Sequence, residues 1–455
     1  MNIVQEQIDA LNAVLKVQLK PDDYQPKVND ALKKYSKKVN MPGFRPGMVP
    51  VGLVKKMYGK SLLVEELNRI VADSVDQYIS EKNIQVLGNP LPQQTGDDIN
   101  WENPGDFEFS FEMGIAPEVN LTLPPAHTFT AYEIIVSDEQ VQEEVDKLRR
   151  RYGNYTSPEV SDNDCSIYGN FQELDNDGNV KEGGIANTAF LLISKIGDLD
   201  TRASFTGRKA GDSIDFDPQT ALASKEEVKY ILGVQDGEVV SGTRFRCTIE
   251  RVNKVEPAEL NQEMFDRIYG DGNVADEAAF LEKVRAELAE GFRYEGEHSL
   301  KHELEDVLLK DSGLVLPDEF LKRWLKYSNE KITDEQLASD YKQYARDLKW
   351  RLIENKIFRD QNMEINEEEM ENYARSFVMD QYVRYGQAHL LTEEKLDELA
   401  KRYLSNRESA QRVVESLSGR KVFEYLNQII TKDVKKVTHD EFTDIMSKHM
   451  QTHQH

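Results

Sequence analysis

Apolar residues recur along this chain with a period that keeps changing, and each change predicts a new kind of element. Ala13, Leu15, Val17 and Leu19 alternate at period two, as a strand with one buried face requires. A polar-faced helix is predicted after Pro21 and Asp22, and a second helical run from about Val51 to Lys82, with a loop at Met41 to Pro50 between them. Phe107, Phe109, Phe111 and Met113 alternate again, so a strand closes an α+β unit near residue 113. Pro117, Pro124 and Pro125 then punctuate an extended connector. Ser137 with Gln140 makes a capping box for an arm helix carrying Val141, Val145, Leu148 and Tyr152.

From Asp164 to Val255 the texture is short strands with Gly-rich turns, at Asn176-Asp177-Gly178-Asn179 and Gly183-Gly184, ending on the alternation Phe245, Cys247, Ile249. Everything after Pro257 is helical in pattern, with start signals at Asn261, Pro317, Asn366, Thr392 and Thr438 with Glu441. The expectation is a multidomain α+β chain: an α+β domain over 1–113, a linker and arm helix over 114–157, a small β-rich domain over 158–255, and an all-helical domain over 256–455.

Charge sharpens this division. The chain carries 57 basic against 82 acidic residues, net -25, which argues against general coating of DNA or RNA. Yet between Lys16 and Lys60 eleven basic residues face only Asp22, Asp23 and Asp30, a local +8 that leaves -33 for the remainder. No run of about 18 apolar residues and no basic start with an apolar core is found, so a cytoplasmic location without a membrane partner is expected. The two cysteines, Cys165 and Cys247, both sit in alternating apolar segments and read as buried structural thiols.

The sharpest motif is Gly43-Phe44-Arg45-Pro46-Gly47-Met48-Val49-Pro50, which puts an aromatic and an arginine at the tip of a loop fixed by Gly and Pro. Lys33, Lys34, Lys37 and Lys38 precede it, and Lys55, Lys56 and Lys60 follow. Lysines on paired helices attract phosphates, while Arg45 and Phe44 offer a forked donor and an apolar anchor to a protein groove. An ordinary loop beside a solvated lysine face is the alternative on physics alone.

Lys37-Lys38-Val39 followed by Gly-Phe-Arg-x-Gly-x-x-Pro resembles the ribosome-docking signature of bacterial trigger factors. Gly43, Phe44, Arg45, Gly47 and Pro50 match it position by position, with Lys37 and Lys38 before them. Pro46 and Met48 stand where that family often has lysines. The resemblance implies an N-terminal domain bound to a protein and rRNA of the large ribosomal subunit at the tunnel exit, and a helical chaperone domain for unfolded nascent polypeptides. It allows a homodimer, whose surface the sequence does not name. Gly313-Leu314-Val315-Leu316-Pro317 and Lys436-Val437-Thr438 resemble recurring punctuation of that helical domain.

The β-rich segment resembles an FKBP-type prolyl isomerase through Phe171, the hairpin at Asp177-Gly178, Gly183-Gly184, and Gly207-Arg208-Lys209-Ala210-Gly211. Where such enzymes carry an Ile-Pro-Gly-Phe-Glu stretch that helps build the pocket, this chain has Asp198-Leu199-Asp200-Thr201-Arg202, so the pocket reads as degraded and no catalytic residue is assigned. Phe171, Phe190, Phe205 and Phe245 are expected in the domain's core. An active isomerase is the alternative function.

Other patterns carry less. Gly59-Lys60-Ser61 echoes a phosphate loop, but Val54 holds the place of its first glycine. Asp175, Asp177 and Asn179 start like a calcium loop without its closing glutamate, and read as a turn. His298 with His302, and His449, His453 and His455, lack a third placed ligand, so no metal or other cofactor is expected. Among the helical aromatics Tyr327, Tyr341, Tyr344, Phe358, Tyr373, Phe377, Tyr382, Tyr385 and Tyr403, most are expected in the core.

Overall fold

The structure is a computed structural model, and it describes residues 1–42, 44–45, 47–93, 105–235, 244–329, 331–387 and 390–453. The chain gathers into two compact units. One joins Met1–Ala131 to His298–Asp433, and the other joins Tyr132–Glu297 to Val434–His455.

In the first unit, strands β1 (Asn2–Gln7), β2 (Asn12–Leu19), β3 (Leu91–Pro92) and β4 (Phe107–Gly114) form an antiparallel sheet ordered β1-β2-β4-β3. The predicted alternation holds, with Ala13, Leu15, Val17 and Leu19 all buried against helices α1 (Pro21–Lys38) and α2 (Val51–Glu81). On β4, Phe107 and Met113 are buried while Phe109 and Phe111 are half-buried. Two glycines record close approach of the later helices to this domain. A Cβ on Gly114 would lie 2.5 Å from Phe320 Cδ1, and one on Gly88 would lie 2.6 Å from Trp324 Cε2. The connector is held too, since Phe129 is fully buried and Glu303 accepts hydrogen bonds from Thr130 N at 2.9 Å.

In the second unit, the arm helix α3 (Asp138–Arg151) begins with the predicted capping box, in which Gln140 N donates to Ser137 Oγ at 3.2 Å and Ser137 N donates to Gln140 Oε1 at 3.0 Å. Its Val141 and Val145 pack with Met264, Phe265 and Phe280. Strand β5 (Thr128–Ile135) precedes this helix; β6 (Asn154–Thr156), β7 (Cys165–Glu173), β8 (Ala186–Leu192), β9 (Ser213–Phe216) and β10 (Phe245–Glu256) follow it and make one sheet. Its order is β6-β10-β7-β8, with β9 paired to β10. Helices α4 (Leu199–Phe205), α5 (Pro218–Ala221) and α6 (Lys225–Leu232) belong to the same domain, and α6 packs on β8. Both cysteines are free and buried as expected, and burial pushes the Cys247 thiol up to about 12.

The later helices are α7 (Gln262–Tyr269), α8 (Glu277–Ser312), α9 (Asp318–Ser328), α10 (Asp334–Asp360), α11 (Glu367–Arg384), α12 (Glu393–Ser405), α13 (Arg407–Ile429) and α14 (His439–His453). The predicted starts are found: Asn261, Asn366 and Thr392 cap their helices, Pro317 precedes α9, and Thr438 Oγ1 accepts from Glu441 N. Two expectations fail. The helical run is broken by a strand, β11 (Thr431–Thr438), where Val434, Val437 and two threonines favour extended backbone. None of the nine helical aromatics is fully buried. Seven are half-buried, and Tyr327 and Tyr385 are exposed, because these charged helices bury narrow stripes rather than whole faces.

Candidate functional site

The loop carrying the Gly-Phe-Arg motif runs from the end of α1 to the start of α2, and two apolar residues pin its ends. Met41 and Val49 are both buried in the domain core, while the tip between them stays in solvent: Phe44 is 39% and Met48 71% exposed, and Arg45 is exposed. Phe44 N donates to Met41 O at 3.1 Å and Met48 N donates to Arg45 O at 2.9 Å. Gly47 has φ +82, a conformation that favours glycine, and Pro50 caps α2 by accepting from Leu53 N and Val54 N. Gly43 and Pro46, the other members of the motif, lie outside the described residues. Tyr35 on α1 and Tyr58 on α2 pack with their ring centres 5.1 Å apart and their planes tilted by 51°, which ties the two helices beside the loop.

Lys37 and Lys38 end α1 as exposed side chains, and Lys34, Lys55, Lys56 and Lys60 are exposed as well. Among the described residues none of these six, nor Arg45, lies in an ion pair, whereas Lys33 meets Asp30 at 3.6 Å and Lys16 meets Glu6. An exposed Phe44 beside an Arg45 guanidinium that makes no ion pair among the described residues, flanked by exposed lysines, can present a hydrophobic anchor and a fork of donors to one partner while attracting phosphates. The motif found the tip. It missed the anchors Met41 and Val49, whose only signal was an apolar residue on either side of a Gly/Pro-rich run.

Comparison with known proteins supplies what geometry alone does not. Three family descriptions match in chain order: "Bacterial trigger factor protein (TF)" over residues 1–148, "Probable trigger factor, FKBP-like domain" over 155–257, and "Probable trigger factor, C-terminal domain" over 297–446. The chain belongs to the trigger factor family. It is 26% identical over 437 residues to the trigger factor of Chlorobaculum parvum, covering 92% of this chain and 94% of that protein. It is 23% identical over 439 residues to that of Salinibacter ruber, covering 92% and 91%. A solved structure of a trigger factor chaperone aligns over 94% of this chain and 99% of that one, at 15% identity and a TM-score of 0.44.

In the FKBP-like domain of this trigger factor family member, aromatic side chains fill the core. Phe171, Phe205 and Phe245 are fully buried, and Phe216 receives the edges of Phe171 at 6.2 Å and Phe205 at 5.2 Å. Phe190 corrects the sequence reading: it is 46% exposed and packs at 4.7 Å against Tyr168 on the outer face of the sheet. The stretch Asp198 to Arg202 starts α4. Asp198 Oδ2 accepts from Thr201 N at 2.8 Å, the Thr201 side chain and then this backbone bond hold its carboxyl below the usual range, and Arg202 Nε donates to Ile196 O at 2.7 Å. Leu199 is 72% exposed. The Asp175 segment is a turn, with Asp177 N and Asn179 N both donating to Asp175 Oδ1. Among the described residues no helix is long and apolar enough to cross a membrane, and no group of three metal-ligating side chains comes together.

Proposed function

We propose that the chain is a ribosome-associated, ATP-independent chaperone of the cytoplasm, which meets nascent polypeptides at the tunnel exit of the large ribosomal subunit. The observation that carries the reading is the Phe44–Arg45 tip, held out between buried Met41 and Val49 in the one strongly basic part of an acidic chain. Gly43, Phe44, Arg45, Gly47 and Pro50 form the docking element. Phe44 enters an apolar groove of a ribosomal protein, Arg45 donates its fork to carbonyl or acidic groups, and Lys37 and Lys38 with their neighbours answer rRNA phosphates.

Clients are held by the helical region over 256–455, whose half-buried aromatics and exposed Tyr327 and Tyr385 offer scattered apolar contacts among charges. Each contact is weak, so release needs no nucleotide: a client that folds withdraws its own apolar surface and wins the competition. The segments 1–113, 114–157, 158–255 and 256–455 then act as docking domain, linker and arm, FKBP-like domain and chaperone body.

The test is co-sedimentation with large ribosomal subunits. Replacing Phe44, Arg45 and Pro46 together by alanine should abolish association while leaving thermal unfolding unchanged. Full association of that variant would remove the docking loop from the proposal.

A further inference from the structure

The aromatic surface that the FKBP-like domain lacks inside is found on its opposite side. On the outer face of the sheet, register pairs Arg251 of β10 with Tyr168 of β7, and Tyr168 with Phe190 of β8, so the three side chains form one row across three strands. The Arg251 guanidinium lies 4.6 Å from the centre of the Tyr168 ring, and the Tyr168 and Phe190 rings are 4.7 Å apart. Leu192, 38% exposed, and Thr188 flank Phe190 on the same face of β8. A bulge between Ile249 and Arg251 turns Arg251 onto this face. Its charge is also uncommitted. On β10, Arg246 is bound by Asp215 and Lys254 by Asp162, whereas Arg251 makes no ion pair among the described residues.

We infer that this row is a second client surface, and that it takes an extended segment in which an acidic residue sits about three residues from an aromatic or aliphatic one. The inference rests on the chaperone reading and deepens it. Neighbouring strands are roughly 4.8 Å apart, so Arg251 and Phe190, two strands from each other, are separated by about 10 Å, which three residues of extended chain span. Charge fixes the sign of the partner. A protein of net charge -25 repels acidic segments at long range, so an unpaired guanidinium beside an apolar shelf gives acidic-apolar clients a place the rest of the surface denies them. A nucleic acid is disfavoured on these rings because the row offers one guanidinium, which answers a single acidic side chain but not a run of phosphates.

The experiment uses the full chain and ten-residue Gly/Ser peptides carrying one aspartate three positions before a photoreactive benzoylphenylalanine, with cross-links mapped by mass spectrometry. Cross-links are expected on the segments bearing Tyr168 and Phe190. Phe190→Ser, at an exposed site, should reduce them about tenfold with thermal unfolding unchanged. Arg251→Gln, or lysine for the peptide's aspartate, should reduce them about three- to fivefold. Labelling confined to other parts of the protein, indifference to Phe190→Ser, equal labelling by the lysine peptide, or displacement by a uridine decamer would each overturn the inference. Suppression of client aggregation, measured on the same preparation, separates the two levels: if it persists while this face stays unlabelled, only the second surface falls, and if it is absent the chaperone reading falls with it.

Discussion

Gly47 offers a test in which steric and torsional causes come apart. Its φ of +82 belongs to the left-handed region, yet among the described residues a Cβ placed there would meet nothing closer than Lys37 O at 3.5 Å, an ordinary contact. Substitution therefore costs backbone strain and no collision. Alanine in that conformation costs about 1–2 kcal/mol, asparagine less because its side chain tolerates left-handed backbone, and a β-branched valine more. Met41 and Val49 stay anchored in the core, so the strain is relieved by letting the tip relax into another conformation. If the docking conformation is disfavoured by that amount, apparent affinity for the ribosome falls by about five- to thirtyfold in Gly47→Ala. The order expected from equilibrium titration of large subunits is Gly close to Asn, then Ala, then Val, at nearly constant melting temperature. Wild-type affinity in Gly47→Val with unchanged unfolding would show that docking does not use this turn.

Salt should weaken ribosome association steeply. If three of the six unpaired lysines meet rRNA phosphates, log K against log salt has a slope of about -2 to -3, and Lys37→Gln with Lys38→Gln flattens it. The FKBP-like domain should lose stability in acid through Glu173, a buried carboxylate held below its usual range first by Lys181 and then by Ile185 N. A lowered folded value means that this contribution is present above the unfolded pKa of about 4.5 and lost as pH falls through the folded one, so thermal unfolding from pH 6 to 3 should be shallower in Glu173→Gln. Because Thr156 and Lys254 are register partners, residues 157–253 can be replaced by Asn-Gly to close a hairpin. That protein should retain suppression of client aggregation within about twofold, and a folded but inactive product would move the main client surface into the FKBP-like domain.

Where the sequence was readable, the reason was local chemistry. The caps at Ser137, Asn261, Asn366 and Thr392 work within three residues, and the alternation of Ala13 to Leu19 reports one buried face. The docking motif was readable for a similar reason, since Gly and Pro specify a turn from within it. Phe190 was misplaced because β8 reads Ala189-Phe190-Leu191-Leu192, apolar in both phases, so alternation cannot say which phase faces the core. The strand Thr431–Thr438 hid behind three lysines, and its burial pattern is almost wholly exposed. The grouping of Met1–Ala131 with His298–Asp433 had no signal at all: Gly88 under Trp324 and Gly114 under Phe320 are complementary only across more than two hundred residues.

The packing of the FKBP-like domain predicts that it is a poor isomerase. Rotation about an X-Pro bond has a barrier of roughly 18–20 kcal/mol, lowered only by a site that removes water from the imide and lines it with apolar walls. Here Phe171, Phe205, Phe216 and Phe245 are all buried in one core cluster, so among the described residues these rings pack the domain instead of standing open to solvent. The helix that follows Asp198 presents Leu199 and Asp200 to water and uses Arg202 to hold Ile196 O, so its first turn is hydrated and committed to its own backbone. Each tenfold of rate needs about 1.4 kcal/mol of transition-state stabilisation, and a hydrated site without aromatic walls forfeits at least two such factors. On a chromogenic X-Pro peptide the intact protein should fall about 100-fold or more below an intact FKBP domain. Comparable acceleration, abolished by Leu199→Asp at a position too exposed to affect folding, would show that the surface around α4 forms an apolar pocket on binding substrate and that the closed interior is not its resting limit.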